Sequence, residues 1–141
     1  MKNEIFPCLW FDGKAQEAAK FYCSIFENSE IIADNQMVVN FVLNGKKFMG
    51  LNGGPNFKFN EAVSFVVNCD TQEEIDHYWN NLIADGGKEG NCGWLKDKFG
   101  VSWQIVPTAL PRLLSNPDKA QKVTEAFLKM KKFDIETLEN V

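Results

Sequence analysis

Four cysteines and one histidine hold most of this chain's nucleophilic and metal-binding capacity. Cys8, Cys23, Cys69 and Cys92 lie too far apart to form a Cys-x-x-Cys pair. His77, the only histidine, does not complete a Cys/His zinc cluster on its own. Around it Ile75, Trp79 and Leu82 recur at helical spacing, which turns His77 toward solvent and leaves no Ser/His/Asp relay to assemble. Cys8 would need a neighbouring base or cation to act as a nucleophile, and none is near in sequence. Cys92, beside Gly90 and Gly93 in a looser segment, is the more reactive candidate, although a structural role suits it too. Cys8, Cys23 and Cys69 sit within apolar patterns. They read as reduced, mostly buried thiols of a cytoplasmic protein.

The elements that would position these groups follow from periodicity. Residues 5–11 form a short apolar run closed by Asp12-Gly13, a buried strand. Ala15, Ala18, Ala19, Tyr22 and Phe26 then recur at helical steps. Residues 31–33 and 38–43 read as strands joined through Asp34-Asn35. Asn44-Gly45 is a hairpin signal leading into a strand over 47–51. The loop 52–60 follows, a linker whose Phe57 and Phe59 could also form a lid. The second half predicts a strand over 62–67, a helix capped by Asp70 or Thr71 and stopped by Gly86-Gly87, a turn at 97–100 and a strand over 101–106. Ser115-Asn116-Pro117 predicts the start of a C-terminal helix of about a dozen residues through Val123, Phe127 and Met130.

The halves also match each other. At an offset of 56, Gln16 meets Gln72, Glu17 meets Glu73 and Tyr22 meets Tyr78; at 55, Gly45 meets Gly100 and Phe48 meets Trp103. With the same order of elements around them, these matches predict a duplicated β-α-β-β-β unit.

Composition narrows the function. A chain of 141 residues, 45% hydrophobic and 24% charged, has the make-up of a globular domain. Its net charge of −4 gives no basic surplus for nucleic acid. No apolar run approaches the roughly 18 residues of a membrane span, and the N-terminal residues lack the pattern of a signal peptide. The C-terminal lysines, Lys122, Lys129, Lys131 and Lys132, are balanced by Glu125, Asp134, Glu136 and Glu139.

Trp10-Phe11-Asp12, Asn52-Gly-Gly-Pro55, Phe59-Asn60, the Cys92–Leu95 segment and the Gly100–Pro107 segment together resemble the PhnB-like branch of the vicinal oxygen chelate superfamily. Glyoxalase I, bleomycin-resistance proteins and extradiol dioxygenases belong to that superfamily, and this branch often carries the label 3-demethylubiquinone-9 3-methyltransferase. The resemblance implies an α+β fold of two paired βαβββ modules, each curling a sheet around a cavity, within a homodimer. It divides a single domain, 1–141, into a first module (4–54), a second (61–107) and a C-terminal helical extension (108–141). No Gly-rich loop follows a strand and opens a helix, as an adenosyl-methionine site usually would.

Catalytic members of the superfamily hold a divalent metal with His and Glu ligands. Their positions fall here at Phe6, Met49, Ala62 and Gln104, which cannot make that site, and a one-residue slip offers only Glu61. No metal and no cofactor are expected. If Phe6 and Ala62 face a cavity, strand alternation puts Cys8, Trp10, Met49, Leu51, Ser64, Ser102 and Gln104 there too. Cys8, Trp10, Met49, Leu51, Ser64 and Gln104 are the candidate ligand-binding residues, a lining suited to a small, partly aromatic molecule. Trp10, Met49 and Leu51 would equally serve as packing. Three functions stay open: metal-free binding of a small molecule, an enzyme polarising its substrate with Gln104, Ser64 and a cysteine, and a scaffold whose cavity is filled by side chains.

Overall fold

A computed structural model describes residues 2–141. The chain divides into two compact units, the first ending at Phe59 and the second starting at Asn60. Together they form an α+β protein of two four-stranded mixed sheets with helices.

In the first unit, β1 (Cys8–Phe11), α1 (Ala15–Ile25), β2 (Glu30–Asp34), β3 (Val38–Leu43) and β4 (Lys46–Asn52) form a sheet of order β1-β4-β3-β2. β1 runs parallel to β4, and the other pairs are antiparallel. The apolar stripe of α1 (Ala15, Ala18, Ala19, Tyr22 and Ile25) is buried, as are Leu9, Phe11, Val39, Phe41, Leu43 and Phe48. Burying each large side chain contributes about 1.5–3 kcal/mol. The Lys14 N-cap makes no side-chain cap. Instead Asn52 Oδ1, at the end of β4, accepts the Ala15 N–H at 2.8 Å and ties helix to sheet.

The second unit repeats this plan with β5 (Ser64–Cys69), α2 (Gln72–Leu82), β6 (Lys88–Glu89), β7 (Trp94–Lys96) and β8 (Ser102–Pro107), ordered β5-β8-β7-β6. The duplicated βαβββ unit is therefore present in the topology. Thr71 caps α2 in a capping box with Glu74. Ile75, Trp79 and Leu82 are fully buried, and His77 is exposed, as its helical position requires.

The structure departs from expectation in three places. β6 and β7 are strands of two and three residues, too short and too charged to carry a readable alternation. The C-terminal segment is three short helices, α3 (Ala109–Leu114), α4 (Ala120–Phe127) and α5 (Ile135–Glu139), in place of one. Asn116 accepts from the Asp118 N–H in a turn that precedes α4 and does not cap it. Cys8, expected to be buried, is exposed: it opens the edge strand β1 on the side away from α1. Cys23 is half-buried and Cys69 buried. No described helix is long and apolar enough to cross a membrane.

Candidate functional site

Register decides which side chains share a face. β1 and β4 align Cys8 with Met49 and Trp10 with Leu51, while β3 and β4 align Asn40 with Met49. Cys8, Trp10, Met49, Leu51 and Asn40 therefore occupy one face of the first sheet, opposite the face buried against α1. Trp10 is half-buried; its Nε1 donates to the Gly54 carbonyl at 2.9 Å, and the Phe57 ring meets it edge-on at 5.0 Å. A Cβ at Gly53 would overlap the Trp10 ring, so glycine there lets the loop close on the indole. Phe59 takes no part in a lid and packs edge-on against the buried Phe11. Asn40 Oδ1 is buried without a hydrogen-bond partner, an acceptor left open at the middle of this face. The alternation of Val38–Leu43 around one central asparagine was the sequence signal for it.

In the second unit, β5 and β8 align Ser64 with Ser102 and Val66 with Gln104. Gln104 Nε2 donates to Ser64 Oγ at 2.9 Å. The open face of this sheet thus holds the Gln104 carbonyl as an acceptor beside the Ser64 hydroxyl, whose proton is free to be donated. The six candidate residues accordingly fall into two groups, four on the first sheet and two on the second.

Cys8, Cys23 and Cys69 are poor nucleophiles. Partial burial pushes Cys8 up from the ordinary thiol range. Burial raises Cys23 as well, with Glu30 adding to it. Cys69 is pushed up to about 12, first by burial and then by Glu74 and Asp70.

The positions where the superfamily places metal ligands carry other chemistry. The Phe6 ring lies 4.2 Å beneath the Lys47 ammonium, a cation–π contact, and Ala62 is exposed. Glu61 Oε2 is 3.1 Å from Lys96 Nζ, which holds its carboxyl below the usual glutamate range. Among the described residues no three His, Cys, Asp or Glu side chains stand close enough to share an ion. The residues present do not fit the metal.

A cleft of about 270 Å³ opens on the second unit, lined by Lys88, Trp94, Leu95, Lys96 and Ser102, with Glu61, Glu89 and Gly90 at its walls. Alternation places Ser102 on the inward face and the one-residue slip at the metal positions names Glu61, whereas the other lining residues lie on or between β6 and β7, which are not legible as strands. Projecting β2 and β3 forward by the duplication offset would have located both.

The comparisons with known proteins bear on this arrangement. The model of a family described as 3-demethylubiquinone-9 3-methyltransferase matches residues 3–106. The chain belongs to this family. A PhnB protein from Bacillus cereus, described with the same methyltransferase name, is 36% identical over 75% of this chain and all of its own, with a TM-score of 0.68. Two more distant structures share the fold. A glyoxalase-related enzyme from Fulvimarina pelagi is 16% identical, covers 78% of this chain and 91% of its own, and has a TM-score of 0.58. The fosfomycin resistance protein FosX from Listeria monocytogenes, in complex with Mn(II) and sulfate, is also 16% identical, covering 80% and 96% with a TM-score of 0.60. No curated protein matches the chain. The matched span of the PhnB-like family stops at the end of the second sheet, before α3.

Proposed function

We propose that this PhnB-like protein binds a small, partly aromatic molecule without a metal ion. Ser64 and Gln104 supply directional hydrogen bonds on the open face of the second sheet, and the first sheet carries an apolar and aromatic face of its own, Cys8, Trp10, Met49 and Leu51. The observation that carries the reading is the Gln104–Ser64 pair at 2.9 Å. It presents an acceptor and a donor side by side on an open sheet face, the arrangement by which a mostly apolar site fixes a ligand's orientation. The unsuited residues at the superfamily's metal positions support metal independence. The family's methyltransferase name finds no support in a nucleotide-binding loop. By the same reading the protein is a cytoplasmic homodimer, and its net charge of −4 disfavours nucleic acid as a partner.

Titration with a panel of small aromatic amides and phenols, followed by amide chemical shifts, tests the proposal. Saturable binding that survives a chelator and weakens at least tenfold in Gln104→Ala is expected, since a lost hydrogen bond to a buried ligand group is worth about 1–3 kcal/mol. Equal binding by Gln104→Ala, or binding abolished by the chelator, would overturn it.

A further inference from the structure

The sheet of the second unit carries a row in direct register across all four strands: Lys88 on β6, Lys96 on β7, Ser102 on β8 and Ser64 on β5. Residues opposite one another share a face, so Lys88 and Lys96 stand side by side. Like charges directly opposed across antiparallel strands are destabilising. One carboxylate answers them: Glu61, at 3.1 Å from Lys96 Nζ. Lys88 forms no ion pair among the described residues. Glu89, also on the cleft wall, is opposite Leu95 in register and therefore points to the other face, where its Oε2 accepts the Trp79 indole N–H at 2.7 Å. The open side of the row thus holds two cations and one anion.

Next in the row, Ser102 is 1% exposed, and its Oγ has no hydrogen-bond partner. A buried hydroxyl left unpaired is costly, and native proteins rarely keep one without a use. Two residues before Lys96, Trp94 lies on the same face and offers an indole wall.

We propose that this cleft binds a small monocarboxylate on an aromatic or aliphatic body. Lys88, Lys96 and the Ser102 hydroxyl hold the carboxylate, and Trp94 holds the body. One negative charge completes the balance of the row. The volume of about 270 Å³ lies just under the roughly 300–1,000 Å³ of drug-sized sites. That size suits a small acid and is short for a nucleotide. The site shares its sheet face with the Gln104–Ser64 pair but draws its carboxylate contacts from Lys88, Lys96 and Ser102.

The test is titration of the full chain with acetate, benzoate and naphthoate, using benzyl alcohol and inorganic phosphate as controls and amide shifts of residues 88–96 and 102 as readout. Saturable benzoate or naphthoate binding is expected, with benzyl alcohol and phosphate at least tenfold weaker. Lys88→Ala and Ser102→Ala should each weaken it at least tenfold. Lys88→Ala should leave the Gln104-dependent binding of uncharged aromatic amides and phenols intact, so this site and the proposed function can fail separately. Ser102→Ala keeps the packing and removes the orphaned hydroxyl, so its melting temperature should hold or rise while affinity falls. Absence of saturable binding by all three acids, equal binding of benzyl alcohol or phosphate, or unchanged affinity in Ser102→Ala would overturn the proposal.

Discussion

Asp97 shows how one side chain sets the register of the candidate site. It is 3% exposed, and its carboxylate accepts the Phe99 and Val101 N–H groups at 2.9 and 3.1 Å and the Trp103 indole N–H at 2.9 Å. Those bonds fix the turn that launches β8, and with it the positions of Ser102 and Gln104. Asp97→Ala strands three donors in the interior and should destabilise the protein by about 3 kcal/mol or more. Asp97→Asn, which keeps one acceptor oxygen, should lose less, as equilibrium urea unfolding would show. An equal loss in both variants would mean that the carboxamide cannot hold the turn. The turn itself was legible in Asp97-Lys98-Phe99-Gly100. The burial of its carboxylate was not, because the decisive partner, the Trp103 indole, is brought back only by the pairing of β7 with β8. Cys8 shows the opposite error. Its apolar neighbours suggested burial, whereas its place at the start of an edge strand leaves it open.

Duplicated elements keep their geometry while their side chains find new uses. Gln16 and Gln72 match across the repeat. Gln16 Nε2 donates to Asp34 Oδ1 and to the Gln36 carbonyl, pinning the β2–β3 turn. Gln72 Nε2 donates to the Phe133 carbonyl, and its Oε1 accepts the Ile135 N–H, so the same position holds the C-terminal segment. The Cys92–Leu95 segment has a similar task. The Cys92 and Gly93 N–H groups donate to the Met130 and Lys131 carbonyls at 2.7 and 2.8 Å, and Phe133 packs where a Cβ on Gly93 would sit. Gly93 also has φ +82°, a conformation that favours glycine. Gly93→Ala should therefore release the segment around 130–135 and raise its hydrogen exchange while α1 stays protected. Unchanged exchange there would show that the segment is held by other contacts. The long elements, α1, α2, β3, β4 and β8, were legible because their apolar periods run for several residues. β6 and β7 were not, because pairing with β8, and no pattern of their own, makes them strands.

At the scale of the whole molecule, two copies of one βαβββ topology have diverged into an open face with aromatic contacts and one with polar handles. The fold was legible through the repeat and the motifs of the PhnB-like family, and the comparisons bear out both. The site was legible only in part. Strand register puts Cys8, Trp10, Met49 and Leu51 on one face of the first sheet and Ser64 and Gln104 on one face of the second, whereas the lysine row depends on strands without a sequence signal. The central claim is that the protein holds a small organic molecule and no metal ion. Native mass spectrometry of the untagged protein, taken gently from cell extract without chelator, tests it most directly. The account predicts a dimer whose subunits carry a small organic adduct and no metal. A dimer with one divalent ion per subunit would contradict it.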